Sequence, residues 1–178
     1  MNGLFRLEAR GVERLPQGGF VLAANHLSNF DPWPLGMPLL PQRWVRFMAK
    51  SELYWWPLSA VADAAGAFKV RRGAGDTEAI TTGVELVRNG EIVVMFPEGT
   101  RRKKGMRKTR QARAHTGAAR IAQLAGAPLV PAAIKGTDRL SRLPKLQVGY
   151  GDPFDPGEDV QASTERLMNE IEELYEAL

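Results

Sequence analysis

The sequence FVLAANHLSNFD, residues 20–31, contains the two features on which the rest of the interpretation depends. Its first five residues form an apolar run whose length and composition are typical of a buried β-strand. The polar residues Asn25, Ser28 and Asn29 then interrupt the run, and such side chains favour turns because they bond to nearby backbone. His26 is therefore predicted to lie at the end of a strand, where open α/β sheets present their functional groups.

Asp31 follows His26 by five residues, and a single turn between them can bring the carboxylate within hydrogen-bonding distance of the imidazole. A carboxylate on one ring nitrogen sets the tautomer and leaves the other nitrogen free to accept a proton. The pair therefore has the components of a general base. A surface loop that happens to contain a histidine and an aspartate is the alternative, and this stretch alone does not separate the two.

The composition is that of a globular protein with one sizeable core. The chain has 178 residues, of which 44% are hydrophobic and 25% are charged, and we predict a single domain over residues 1–178. It contains no cysteine, which excludes disulfides and thiolate nucleophiles, and only two histidines. A metal site built from several histidines is therefore disfavoured, and we expect neither a metal nor a bound cofactor.

The formal net charge of +4 is unevenly distributed along the chain. Residues 101–113 carry eight lysines or arginines and no acid, whereas acids dominate from Glu158 onward. A surface polarised in this way attracts anionic partners. The N-terminus lacks the apolar core of a signal peptide, and no run of about 18 apolar residues occurs, so no membrane-spanning helix is predicted.

Apolar runs alternate with helical patterns along the whole chain. This alternation predicts the α/β class, as a single-domain layered sandwich with a central mixed, largely buried sheet flanked by helices. The predicted strands span residues 6–13, 20–24, 44–49, 66–70, 91–96, 128–134 and 145–150. The predicted helices span roughly residues 33–40, 76–89, 116–125 and 163–178, with a further helix capped by Ser51.

Two other predicted strands lead into motifs that contain arginine. FPEGTR, residues 96–101, follows the clearest strand; Gly99 permits close backbone approach, so its N–H can face a ligand. In the same motif Arg101 offers a planar fork suited to phosphate. GAFKVRR, residues 66–72, also ends in arginine. Taken singly, each motif also fits an ordinary turn or strand with solvated cations.

Taken together and in this order, the motifs resemble those of the lysophosphatidic acid acyltransferase family, the 1-acyl-glycerol-3-phosphate acyltransferases and related glycerolipid enzymes. The family motif Asn-His-x4-Asp is matched by residues 25–31, Gly-x-Phe-x-x-x-Arg by residues 66–72, and Phe-Pro-Glu-Gly-Thr-Arg by residues 96–101. An apolar segment with a central proline is matched at Val130-Pro131. The resemblance extends over roughly two-thirds of the chain and implies a glycerolipid acyltransferase fold.

The resemblance implies that a fatty acyl thioester of coenzyme A or acyl carrier protein reacts with a hydroxyl of a lysophospholipid. The expected reaction converts 1-acyl-glycerol-3-phosphate to phosphatidic acid, in phospholipid biosynthesis. His26 would be the general base and Asp31 would orient it, with direct attack on the thioester. Backbone N–H groups near Gly99 would stabilise the oxyanion. The residues implied to bind substrate are Arg72, Glu98, Gly99, Thr100 and Arg101.

Two departures from the family pattern affect the acceptor and the membrane. Relatives often carry lysines where this chain has His115 and Thr116, so the acceptor head group stays open, and we interpret His115 as a solvated residue. Many relatives carry an N-terminal anchoring helix pair, whereas here we expect a cytoplasmic protein peripherally bound to the inner face of the cell membrane. The predicted contacts with that anionic surface are interfacial indoles and cations, namely Trp55, Trp56, Lys103, Lys104, Arg107 and Lys108.

Three alternative functions are compatible with parts of this pattern. The same kind of enzyme could act on another lipid or polyol acceptor. A hydrolase could use the same histidine and aspartate with water in place of the alcohol. Nucleic-acid binding by residues 101–113 is disfavoured because no aromatic residues are interleaved with the cations, so we expect no nucleic-acid partner.

Overall fold

The computed structural model describes residues 6–50, 66–70, 75–99, 114–142 and 144–178. Within these ranges strands alternate with helices, as the sequence pattern predicts. The strands are β1 Leu7–Arg10, β2 Phe20–Ala24, β3 Val45–Lys50, β4 Ala67–Val70, β5 Ile92–Met95, β6 Leu129–Lys135 and β7 Leu146–Tyr150. The helices are α1 Pro32–Gly36, α2 Gly75–Arg88, α3 Gly117–Ala125 and α4 Val160–Ala177, with short 3-10 helices at Val12–Arg14, Met37–Leu39 and Thr137–Arg142.

The seven strands form one sheet in the order β1-β7-β6-β2-β5-β3-β4. Strand β7 runs antiparallel to β6, and the other neighbouring pairs are parallel. The sheet is therefore mixed, and the α/β class predicted from the sequence is confirmed. Strand β2 lies at the centre between β5 and β6, which explains why its sequence is a continuous apolar run and does not alternate with polar residues.

The side chains of β2 alternate between two hydrophobic cores, one on each face of the sheet. Val21 and Ala23 belong to the core covered by α2, α3 and α4. Phe20, Leu22 and Ala24 belong to the core covered by α1. All five side chains are fully buried, and burying a large apolar side chain contributes about 1.5–3 kcal/mol. The two cores therefore hold β2 and the turn that follows it in one position.

Helices α2 and α4 each bury an apolar face against the core. In α2, Val84 and Val87 are buried and Ile80 packs against the same core. In α4, Leu167 and Ile171 are buried. None of the helices in the described ranges is long and apolar enough to cross a membrane.

The end of β1 differs from its prediction, because the strand stops at Arg10 and does not continue to Glu13. Gly11 adopts φ +80°, a left-handed conformation that ends the extended chain and leads into a 3-10 helix. A Cβ atom at this position would clash with the carbonyl oxygen of Tyr150. Glycine is therefore required here both for its conformation and for the close approach of the two backbones.

The starts of two helices also differ from their predictions. Helix α2 begins at Gly75, one residue before its predicted start at Asp76. Helix α4 begins at Val160, three residues before the predicted Ser163. The reason is Asp159, whose side chain accepts hydrogen bonds from two free N–H groups of the first turn. The predicted helix capped by Ser51 lies outside the described residues, and the single domain over residues 1–178 stays a prediction.

We predict that Asp159→Ala destabilises the protein by about 1 kcal/mol, because it leaves two N–H groups of α4 without their partner. In the wild-type protein, Asp159 Oδ1 accepts from the N–H groups of Gln161 at 2.9 Å and Ala162 at 3.0 Å. Urea denaturation measures the change in unfolding free energy. Glu158→Ala is the control, because it removes the same charge beside the same helix and leaves the cap in place. Equal losses in both variants would show that charge, and not capping, stabilises this end.

Candidate active site

The carboxyl ends of the central parallel strands β2, β5 and β6 meet at one edge of the sheet. The register places Ala23 opposite Met95 and Ala24 opposite Ala132. The turn NHLSNFD, residues 25–31, leaves β2 at this edge, and the turn FPEG, residues 96–99, leaves β5 beside it. The sheet thus brings together two motifs that lie about 70 residues apart in the sequence.

Asp31 is fully buried at the start of α1. Its Oδ2 atom accepts hydrogen bonds from three groups, the ring Nδ1 of His26 at 2.8 Å and the backbone N–H groups of Leu27 at 2.6 Å and Ser28 at 2.9 Å. Its Oδ1 atom accepts from the hydroxyl of Thr137 at 2.5 Å. Four donors therefore replace the water that the carboxylate loses on burial.

His26 is held by Asp31 on one side and by Phe96 on the other. Because a carboxylate can only accept, the imidazole donates through Nδ1, and Nε2 is left as the proton acceptor. The ring stacks on Phe96 with 4.2 Å between the ring centroids and 21° between the planes. The side chain keeps 18% of its surface exposed, so the ring is oriented yet accessible. The predicted contact between His26 and Asp31 is confirmed.

Asn25 joins the ends of β2 and β6 through two hydrogen bonds. Its side chain is fully buried, with Nδ2 donating to the carbonyl oxygen of Ile134 at 3.0 Å and Oδ1 accepting from the Ile134 N–H at 2.8 Å. A side-chain amide is the group that satisfies both a donor and an acceptor of one residue. Asn25 therefore fixes the point at which the chain leaves the sheet and turns into His26.

Thr137 is a residue of the candidate site that the sequence interpretation missed. It is 3% exposed and lies directly after Gly136, whose φ of +97° turns the chain back toward the sheet edge after β6. The contact with Asp31 joins residues 106 positions apart. The signal that would have found Thr137 is a polar residue at the carboxyl end of a strand parallel to β2, but that required knowledge of which strands are neighbours.

The turn after β5 corrects one expectation about Gly99. The N–H of Gly99 donates to the carbonyl oxygen of Phe96 at 3.0 Å, so it is occupied within the turn and does not face a ligand. Gly99 has φ +67°, and a Cβ atom there would overlap the ring of His115. His115 is exposed, in agreement with its interpretation as a solvated residue, but its packing on Gly99 and its N–H bond to the carbonyl oxygen of Pro97 at 2.8 Å were not predicted.

Glu98 lies in this turn, partly buried, directly before Gly99. The other predicted substrate-binding residues, Arg72, Thr100 and Arg101, lie outside the described residues, as do the predicted membrane contacts Trp55, Trp56, Lys103, Lys104, Arg107 and Lys108. Their roles stay predictions.

The arrangement is equipped for proton transfer. An oriented imidazole with one free nitrogen, supported by a buried carboxylate, can remove a proton from a hydroxyl group and stabilise the resulting imidazolium. Across the parts of the chain that the structure describes, no group of three His, Cys, Asp or Glu side chains could hold a metal ion.

Comparison with known proteins supports the same kind of chemistry. The acyltransferase family model matches residues 6–135. The chain is 34% identical to the 1-acyl-sn-glycerol-3-phosphate acyltransferase of Bacillus subtilis, over 93% of this chain and 86% of the relative. It is 36% identical to the lyso-ornithine lipid O-acyltransferase of Pseudomonas aeruginosa, over 52% of this chain and 35% of that relative.

A solved structure shares the fold. The crystal structure of the 1-acyl-sn-glycerophosphate acyltransferase PlsC from Thermotoga maritima aligns with a TM-score of 0.71 and 26% sequence identity. The alignment covers 96% of this chain and 72% of that chain.

We predict that Thr137→Val destabilises the protein by about 1.5–3 kcal/mol, because Oδ1 of the buried Asp31 carboxylate loses its hydroxyl donor while the side-chain volume is kept. Thr137→Ser is the matched control, since it keeps the hydroxyl and removes only a methyl group. Urea denaturation of both variants separates the two contributions. If the serine variant lost as much stability as the valine variant, the methyl packing and not the hydrogen bond would be the important contact.

Proposed function

Because the chain belongs to the acyltransferase family, we propose that it transfers a fatty acyl group from a thioester to the free hydroxyl of 1-acyl-glycerol-3-phosphate, producing phosphatidic acid. The observation that carries the proposal is the His26–Asp31 pair, held at the sheet edge with Nε2 free. The identity of the acceptor is inferred from the relatives named above, because the Bacillus subtilis and Thermotoga maritima proteins are both named for it. Either acyl-coenzyme A or acyl carrier protein serves as the donor.

The reaction proceeds by direct attack. Nε2 of His26 takes the proton of the acceptor hydroxyl while the hydroxyl oxygen forms a bond with the thioester carbon. The C–S bond then breaks, and the imidazolium returns the proton to the departing sulfur, so that an ester and a free thiol are formed. Asp31 stabilises the imidazolium in between. The chain has no cysteine, and therefore no thiol of its own takes part as an acyl carrier.

The acceptor phosphate is proposed to bind Arg72, Thr100 and Arg101, with Glu98 helping to hold the acceptor. The support comes from topology. Strand β4 runs parallel to β3, and β3 runs parallel to β5, so the carboxyl ends of β4 and β5 point to the edge that holds His26. Arginine is suited to phosphate because its planar fork donates two parallel hydrogen bonds.

Gly99 serves a different purpose in this proposal. Its N–H is engaged with Phe96, so it is not proposed as a donor to the oxyanion. Its missing side chain instead lets the turn after β5 pack against His115. An oxyanion donor would have to come from another backbone N–H group at this edge.

The reaction takes place at a bilayer, because the acceptor and the product are lipids. We propose that the enzyme binds peripherally to the inner face of the cell membrane. Near an anionic surface each cation of the run at residues 101–113 contributes about 1 kcal/mol, which is the basis for the contacts of Lys103, Lys104, Arg107 and Lys108.

A second acceptor is favoured by one observation. The relative from Pseudomonas aeruginosa is named for lyso-ornithine lipid, and its identity to this chain is slightly higher, although over a shorter length. Ornithine is an amino acid without a phosphate group, so this alternative predicts that an acceptor without phosphate is preferred.

The test is an assay with a panel of acceptors. Purified protein receives labelled acyl-coenzyme A or acyl carrier protein with lysophosphatidic acid, lyso-ornithine lipid, other lysophospholipids or glycerol phosphate, and mass spectrometry identifies the product. Acylation of lysophosphatidic acid above the others supports the proposal, and preference for lyso-ornithine lipid supports the alternative. Stoichiometric loss of thioester without any acceptor would indicate a hydrolase.

We predict that His26→Ala folds normally and lowers turnover by roughly 10²–10⁴-fold, the usual contribution of a positioned general base. Asp31→Asn is the companion variant: it keeps the side-chain shape and one oxygen that can accept from Leu27 and Ser28. It removes the charge that stabilises the imidazolium and places an amide NH2 group against the Thr137 hydroxyl. It should also lose activity, with the circular dichroism spectrum unchanged. Turnover close to that of the wild type in a folded His26→Ala protein would contradict the role of His26.

We predict that Arg101→Ala raises the KM for the phosphate-bearing acceptor by roughly ten- to a hundred-and-fifty-fold, equivalent to about 1.5–3 kcal/mol for a charge-assisted hydrogen bond. The KM for the acyl donor should change little. Arg10→Ala is the control, since Arg10 is exposed and ends β1, which runs opposite to β2 and so points to the other edge of the sheet. A rise in the donor KM alone would show that Arg101 binds the thioester carrier.

A further inference from the structure

The segment that follows the catalytic pair exposes large apolar side chains that belong to no core. Trp33 is 53% exposed, Met37 42% and Leu40 40%, and Phe30, directly before Asp31, is 58% exposed. The opposite side of the same segment carries Leu35 and Leu39, which are buried against β2. The segment is thus apolar on both sides although only one side is covered, and such helices usually have both sides buried.

The exposed side has no charge of its own. Residues 32–42 contain no charged residue. At one end, Asp31 is fully buried and bonded to four donors. At the other end, the guanidinium of Arg43 donates to the carbonyl oxygens of Pro16 and Gly18 and lies 5.0 Å from the ring centroid of Phe20. The charged side chains at both ends of the segment, Asp31 and Arg43, therefore form hydrogen bonds within the protein.

The segment is fixed firmly to the core beneath it. The Tyr150 hydroxyl donates to the Leu35 carbonyl oxygen at 2.7 Å, and burial raises the pKa of Tyr150, which keeps its proton in place. Gly36 packs against the side chain of Val45, where a Cβ atom would overlap it. The exposed side chains thus form a surface held at a set position beside His26, which we call the apolar face: Phe30, Trp33, Met37 and Leu40.

We propose that the apolar face inserts into the surface of the lipid bilayer that holds the acceptor, and so presents His26 to the head groups. This inference rests on the proposed function only for the lipid nature of the acceptor. Indole and thioether side chains on an uncharged surface are favoured at the boundary between the lipid head groups and the acyl chains. Phe30 lies in the same turn as His26 and Asp31, so the apolar face begins next to the catalytic pair.

The size of the face favours a bilayer over a second protein. A stable protein interface uses about 20–30 residues on each side, whereas the apolar face has four. Insertion of a few side chains gives reversible membrane binding, which grows with the apolar area inserted. This attraction does not depend on salt, unlike the attraction expected for Lys103, Lys104, Arg107 and Lys108.

The experiment compares the wild-type protein with Trp33→Gln/Met37→Gln and with Leu124→Gln as the matched control. Leu124 is 47% exposed on α3, which covers the other face of the sheet. Each protein is mixed, in high salt, with neutral phosphatidylcholine vesicles whose acyl chains carry bromine, and without acceptor or donor. Sedimentation measures binding of all three proteins. Quenching of tryptophan fluorescence by bromine reports contact of the four tryptophans with the acyl chains in the wild type and in Leu124→Gln.

Wild type and Leu124→Gln should bind and be quenched, whereas the double variant should bind about tenfold or more weakly, because it loses inserted apolar area. Circular dichroism checks the fold, and the single variant Trp33→Gln replaces the double variant if that protein does not fold. Turnover should fall with acceptor embedded in vesicles and stay unchanged with a short-chain, water-soluble acceptor.

Three outcomes would overturn the proposal: no binding of the wild type to neutral vesicles, equal binding by all variants, or a wild-type dimer that the double variant converts to a monomer. The last would make the face an interface between two copies. Because the vesicles contain no substrates, binding is measured even if no acyl transfer is found. Failure of the proposed function and failure of this inference are therefore separate results.

Discussion

The buried carboxylate of Asp31 is the interaction on which the rest of the site depends. It collects donors from the turn after β2, from the imidazole and from the turn after β6. A buried carboxylate without these donors would be strongly unfavourable, so the turn after β2 and the turn after β6 must come together for the chain to fold around it. One of these four hydrogen bonds, from Nδ1 of His26, also orients the imidazole.

The parallel strands at the centre of the sheet position the other side chains around His26. Its register brings the end of β5 beside the end of β2, so that the Phe96 ring stacks on His26. Asn25 bonds both backbone groups of Ile134 in β6 and thereby sets the point at which the catalytic turn begins. The imidazole is thus positioned by one carboxylate, one aromatic ring and one backbone clamp. Through these contacts the ends of β2, β5 and β6 together position the ring.

Catalysis and membrane contact share one short segment in this interpretation. Asp31 begins α1, whose inner side packs on β2 and whose outer side exposes Trp33. An exposed indole of this size is unfavourable in water and favourable at a bilayer surface. In this interpretation a lipid substrate does not have to leave the membrane fully to meet His26. The contact that binds the enzyme to the membrane also brings His26 to the substrate.

The sequence by itself determined the class of the fold, the strands and helices over most of the chain, and the pairing of His26 with Asp31. These follow from local features, namely apolar runs, capping and turn residues, and a spacing of five residues, whose consequences act within a few residues along the chain. The tertiary structure alone decided which distant groups complete the site. Thr137 bonds Asp31 across 106 positions, and the Gly99 N–H is occupied by Phe96 while His115 packs on the same glycine. It also decided which side of α1 stays uncovered, since both sides are apolar in sequence. Such contacts depend on strand order and register, which arise from packing between segments and leave no local pattern in the residues themselves.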